Sequence, residues 1–102
     1  MSTQNLDDLL TNEFLCYYHI DLLPIDWKEP VVIKKLASIT SGRLNELASN
    51  LEELKRILLD MKNERNHYLN EKISEEVDIE WCIEDDDWNA YSMLLEEILK
   101  GL

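Results

Sequence analysis

The chain has few residues that turn the backbone sharply, with two glycines and two prolines among 102 residues. Their scarcity argues against many short strands joined by tight hairpins and favours helices. Hydrophobic residues make up 45% and charged residues 31% of the sequence, which is typical of a folded rather than a disordered protein. A chain of this length is expected to form a single domain, 1–102.

Long apolar runs and paired cysteines are also missing. No run approaches the ~20 apolar residues of a membrane helix, and MSTQNLDDLL lacks the basic and apolar segments of a secretory signal. The two cysteines, Cys16 and Cys82, lie far apart and predict reduced thiols. We therefore expect a cytoplasmic or nuclear protein that makes no membrane contact.

Basic residues are absent from one region of the chain. From Glu75 to Glu97 there are ten acidic residues and no lysine or arginine, so this region carries −10 of the net charge of −12. Surfaces that bind nucleic acid or anionic membranes directly need clustered Lys and Arg, so neither ligand is expected. The acidic region favours a basic protein partner, a cation or simple solubility.

Three shorter helices are predicted from the signals at their ends. Asn5 can cap a helix over 5–20, and Pro30 is well placed as the first residue of a helix over 30–40. An amphipathic pattern over 88–101 follows three aspartates and is closed by Lys100 and Gly101.

The strongest pattern predicts one long helix over about 42–73. Apolar residues recur there at steps of three and four, which is a heptad seam. Such a helix would be about 48 Å long at ~1.5 Å per residue, and it would need a face to pack against. The fold class is therefore mainly α, a helical bundle built around this helix. The seam residues are Leu44, Leu47, Leu51, Leu54, Leu58, Met61 and Tyr68.

The seam has two interpretations. Either the shorter helices fold back on it within one chain, or part of it is shared with another chain. Assembly of two chains is slightly favoured, because the short helices do not obviously cover the whole length of the seam.

After Ile73 the apolar period changes to two, which predicts one extended segment at 77–83. A single strand needs a pairing partner, so Trp81 in its middle is an interface candidate, whereas Trp27 and Trp88 are expected in the core. The alternative keeps 73–84 helical, with Trp81 on a buried stripe.

The acidic run matches the pattern of a calcium-binding loop only in part. Asp85, Asp87, Asn89 and Glu96 match ligand positions of an EF-hand loop, but Ala90 stands where that loop needs glycine. The aspartates are better explained as the acidic start of the last helix.

No other metal, cofactor or catalytic pattern is present in the sequence. The cysteines and histidines do not have zinc-ligand spacing, and there is no phosphate-binding loop or nucleophile motif. We therefore expect no metal, no cofactor, no small-molecule substrate and no enzymatic activity.

The sequence predicts a non-catalytic subunit that assembles with protein partners. Its long helix would form a homo-oligomer or hetero-complex, with the seam residues and Trp81 at the interface. Its acidic C-terminal third would dock a basic partner. The alternative is a small acidic inhibitor that imitates nucleic acid, of the immunity or antitoxin type, directed at a nuclease or nucleic-acid-binding protein. The predicted docking residues are Glu80, Glu84, Asp85, Asp86 and Asp87.

Overall fold

The computed structural model describes residues 5–19 and 21–102, and most of these residues are helical. The helices in this part of the chain are α1 (Leu6–Tyr18), α2 (Pro30–Leu47), α3 (Leu51–Asn63), α4 (Tyr68–Val77) and α5 (Asp85–Gly101). Helix α5 packs along α2 and α3, while α1 packs against α4. No strand occurs within the two described ranges, so the prediction of a mainly α, bundle-like fold is confirmed.

The three shorter helices exist, with shifted ends. Helix α1 begins after Asn5, whose side-chain oxygen accepts hydrogen bonds from the backbone N–H groups of Asp7 and Asp8 at 3.0 and 3.2 Å. Helix α2 starts at Pro30 but continues past the predicted end to Leu47. Its extension is fixed to α5 by the buried Ser41 hydroxyl, which donates to the Ile98 carbonyl at 2.9 Å.

The prediction of one long helix over 42–73 is wrong, because the chain breaks at 48–50 and again at 64–67. Asn50 starts α3 as an N-cap, accepting from the backbone N–H of Glu53 at 3.1 Å. His67 starts α4 in the same way, with Nδ1 accepting from Leu69 N–H at 3.1 Å. The longest dimension of the protein is 41 Å, shorter than the ~48 Å of an unbroken helix.

The extended segment predicted at 77–83 is also wrong. Val77 is the last residue of α4, and Asp78 ends the helix in the left-handed conformation with φ 60°. Residues 78–84 then form turns, and we call them the 78–84 segment. The helical alternative for 73–84 holds only as far as Val77, although it correctly places Trp81 on the buried side.

The core is centred on aromatic rings contributed by different elements. The ring of Trp81 stacks on Tyr91 of α5 at 4.4 Å between centroids. It also lies 6.0 Å from Phe14 of α1 and 6.0 Å from Trp27 in the α1–α2 connection. Aromatic ring pairs stabilise a fold by more than the burial of their surface area alone. Through these pairs, Trp81 connects the 78–84 segment to α1, to the α1–α2 connection and to α5.

Candidate functional site

Most of the predicted interface residues lie inside the protein's own core. Leu44, Leu54, Leu58, Met61 and Trp81 are completely buried, so in this fold they are not available to a second chain. The buried residues of the seam face α5 and the other helices of the bundle. Leu51 packs against the core at partial exposure, and only Leu47 and Tyr68 are well exposed. The interface role of these three residues remains a prediction.

One of the three tryptophans lies elsewhere than predicted. Trp81, expected at an interface, is fully buried, whereas Trp27 and Trp88, expected in the core, are partly buried and pack against it. Trp81 Nε1 has no hydrogen-bond partner among the described residues. A buried donor without an acceptor costs about 1–3 kcal/mol, so ring packing and not a polar contact holds this side chain.

Two cations of the protein's own pair with the aspartates at the start of α5. Lys28 Nζ lies 2.9 Å from Asp86 and also forms an ion pair with Asp87. Hydrogen bonds to Asp87 and Asp86 raise the pKa of Lys28. Arg65 Nη1 contacts Asp85 at 2.7 Å. These three aspartates, predicted as docking residues, are therefore already engaged.

Arg65 also holds the 78–84 segment in place. Its Nε donates to the Cys82 carbonyl at 2.8 Å, and its Nη2 donates to the Ile83 carbonyl at 2.9 Å. Its guanidinium lies 5.7 Å from the ring centroid of Trp88, within range of a cation–π contact. The segment is thus fixed from inside by Trp81 and from outside by Arg65, which makes its surface residues pre-positioned.

Five of the other acids between Glu75 and Glu97 form no ion pair within 4.0 Å in the part of the chain that the structure describes. The last two acids of this stretch, Glu96 and Glu97, pair with Lys62 and Lys100. All five unpaired acids are exposed, and three of them lie within two residues of the C-terminal end of α4, whose dipole adds negative potential there. We call this set of five the acidic loop face. It consists of Glu75, Glu76, Asp78, Glu80 and Glu84.

The sequence had singled out Glu80 and Glu84 from this set, and both are exposed. It had not singled out Glu75, Glu76 and Asp78, although their position in the same acidic run was a sufficient signal. Unlike these acids, Asp86 is paired, and its partner Lys28 lies 58 residues earlier in the chain. A local sequence pattern cannot predict a pairing over that separation.

Two surface grooves are lined by opposite parts of the 78–84 segment. The first, of about 330 Å³, is called the Trp27 groove; it is mostly apolar and reaches the segment at Ile79. The second, of about 250 Å³, is called the Ile83 groove and includes two members of the acidic loop face. The Trp27 groove is lined by Leu23, Pro24, Ile25, Trp27, Lys28, Ile79 and Asp87. The Ile83 groove is lined by Glu71, Ser74, Glu75, Glu80, Cys82 and Ile83.

The thiol in the Ile83 groove is not activated. The pKa of the Cys82 thiol is raised, mainly because the thiol is partly buried. The Ser74 hydroxyl lies 4.0 Å from the Cys82 sulfur. Among the described residues no group of three or more His, Cys, Asp or Glu side chains is placed to hold a metal ion. The EF-hand spacing from Asp85 to Glu96 falls entirely within α5 and forms no loop.

A third groove, of about 430 Å³, lies between α2 and the end of α5. Its polar groups serve the contact between these helices: Ser41 donates to Ile98, and Asn45 Nδ2 donates to the Gly101 carbonyl at 3.0 Å. A Cβ atom on Gly101 would lie 2.4 Å from Ser41 Oγ, which shows how closely the helices approach. We assign this groove to packing.

Comparison of the chain with protein-family models, with curated proteins and with solved structures finds no match. None of the described helices combines the length and apolar character needed to cross a membrane.

Proposed function

We propose that the protein is a non-catalytic binding module whose acidic loop face docks a basic partner protein. The observation that carries this proposal is the separation of the acids into two groups. Asp85, Asp86 and Asp87 form ion pairs with Lys28 and Arg65, whereas the five carboxylates of the acidic loop face form none. Charges left unpaired on a fixed segment are available to a partner of opposite sign.

Electrostatic attraction alone would give this surface a high association rate and selectivity for basic partners, but not tight binding. Exposed carboxylates attract a basic protein over about one Debye length, ~8 Å at physiological salt, and raise the association rate. Individual exposed ion pairs contribute only about 0–1 kcal/mol. Affinity must therefore come from apolar contacts, which the two grooves beside the acidic loop face offer.

The nucleic-acid-mimic alternative receives less support from this arrangement. A mimic presents carboxylates over a long surface at a pitch comparable to that of phosphates, about 1.7 Å of helix axis per charge in duplex DNA. Here the unpaired acids cluster around one helix end, and the adjacent aspartates are already paired with Lys28 and Arg65. Oligomerisation through the heptad seam also receives less support, because the central leucines of the seam are buried in the bundle.

The proposal is tested with a fluorescein-labelled synthetic peptide that carries Lys and Arg on both sides of a single Leu, called the Leu probe. The double variant Glu80→Gln, Glu84→Gln is expected to bind it about 3- to 10-fold more weakly than the unmodified chain, since two ion pairs are lost. Fluorescence anisotropy at several NaCl concentrations measures the affinity, which should also depend less on salt in the variant.

The matched control is Glu46→Gln, Glu52→Gln, which changes the net charge equally at two exposed positions of α2 and α3. This control should bind the Leu probe within about twofold of the unmodified chain. Equal weakening by both double variants would show that only net charge matters, and the docking role of the acidic loop face would be rejected.

A further inference from the structure

We infer that the Trp27 groove is an anchor pocket for one apolar side chain of the basic partner, at a position that Lys or Arg flanks in the partner's sequence. This inference rests on the proposed function and adds to it the chemistry of the bound segment. The groove is distinct from the acidic loop face, since its lining comes mainly from the α1–α2 connection.

The size and lining of the groove suit one large apolar side chain. Its volume of about 330 Å³ is at the lower limit of the ~300–1,000 Å³ typical of pockets that enclose a complete small ligand. Five of its seven lining residues are apolar, and the Trp27 ring is among them. An aromatic ring with neighbouring aliphatic groups is the composition found at interface hot spots.

Large apolar side chains are exposed in and next to the stretch of sequence that supplies most of the groove. Ile25, which lines the groove, is fully exposed, and Leu22 and Val31 are exposed by 61% and 75%. Single exposed apolar residues are common on protein surfaces. Three large exposed aliphatic residues within ten positions are more than that, and concentrated exposed apolar surface is characteristic of a contact site.

The corner that carries the groove is joined to the rest of the protein by several contacts. Lys28 ties it to the start of α5 through Asp86 and Asp87. Inside the corner, the backbone N–H of Trp27 donates to the Pro24 carbonyl at 3.1 Å. The centroid of the Trp27 ring lies 6.0 Å from that of the buried Trp81 ring. A preformed pocket saves the entropy of ordering a loop on binding, so a single anchor residue can contribute measurably.

Charge complementarity identifies the flanking residues of the occupant. Asp21, Asp26 and Glu29 are exposed beside the groove residues in sequence, and none of them has a Lys or Arg partner in the described ranges. Together with Asp86 and Asp87, they set five carboxylates against the single ammonium of Lys28. An acidic segment would be repelled from this rim, whereas Lys or Arg beside the anchor would pair with it.

The test is a double-mutant cycle with two peptides and two proteins. The peptides are the Leu probe and a Ser probe, in which the single Leu is replaced by Ser. The proteins are the unmodified chain and Ile25→Ser, which changes a fully exposed side chain and should leave folding intact. We expect the unmodified chain to prefer the Leu probe by about tenfold, and Ile25→Ser to reduce that preference to about two- or threefold.

Ile39→Ser serves as the control, since Ile39 is an exposed isoleucine of α2 that lines no groove at this corner, and it should keep the tenfold preference. A preference for the Leu probe that Ile25→Ser leaves unchanged would overturn the anchor pocket. So would equal binding of both probes by the unmodified chain. In either case the proposed function would survive if Glu80→Gln, Glu84→Gln still weakened binding. Failure of the unmodified chain to bind either probe would reject both.

Discussion

Replacing Trp81 by alanine is expected to lower the free energy of unfolding by about 3–5 kcal/mol, as full truncation of a large buried aromatic ring does. Trp81 is completely buried and stacks on Tyr91 at 4.4 Å. Its removal would leave a cavity between α1, α5 and the α1–α2 connection. Since a domain of this size is stable by only about 5–15 kcal/mol, the variant should melt far below the unmodified chain in urea or on heating.

The control for this prediction lies two residues away. Ile83→Ala truncates a side chain of the same 78–84 segment that is 65% exposed, and its effect should stay within about 0.5 kcal/mol. Equal stability of the two variants would place Trp81 outside the core and remove the internal anchor of the segment. Circular dichroism of both variants in urea, fitted to two states, gives the comparison.

Replacing Asn70 by leucine is expected to cost about 3 kcal/mol, although leucine has a similar volume and the site is buried. The Asn70 amide donates to the carbonyls of Met61 and Glu64, at 2.9 Å each, and its oxygen accepts from the Tyr91 hydroxyl at 2.9 Å. Leucine would leave three buried or partly buried polar groups without this partner, each at a cost of roughly 1 kcal/mol or more. Urea unfolding followed by circular dichroism measures the loss.

Two further variants separate the polar network from a general effect of substitution in this region. Tyr91→Phe removes one hydrogen bond of the network and should cost about 1 kcal/mol. Asn66→Leu changes an exposed asparagine in the turn between α3 and α4 and should be nearly neutral. If Asn70→Leu proved no more destabilising than Asn66→Leu, Asn70 would not be the residue that closes α3.

The break of the long helix explains why the sequence pattern was misleading there. Leucines at steps of three and four show that a helix buries one face, but two successive helices that bury their faces in the same core give the same spacing. The distinguishing signal was the polar residue at each break. Asn50 followed by Glu53 is a capping pattern, and His67 and Asn70 bond to the ends of the neighbouring helices. Their role at the second break depends on tertiary contacts that no local pattern reveals.

The 78–84 segment was misread for a related reason. Val77 and Trp81 are buried, while Ile79 is partly exposed and Ile83 is well exposed, so the alternation of residue types does not match an alternation of burial. The left-handed Asp78 redirects the chain, and the bulky ring of Trp81 fills the core next to α5. Composition revealed the acidic character of this region correctly. It could not show which acids are paired, because Asp85, Asp86 and Asp87 are paired by Lys28 and Arg65, which are distant in the sequence.

The most direct test of the central claim is a titration of ¹⁵N-labelled protein with the Leu probe, followed by amide chemical shifts. The account predicts that the largest shift changes fall in two stretches, 21–28 around the Trp27 groove and 75–84 on the acidic loop face. The amides of α3, whose apolar face is buried, should change little. Shift changes concentrated on α2 or α3, or spread evenly over the surface, would contradict the claim that this face of the protein is its binding site.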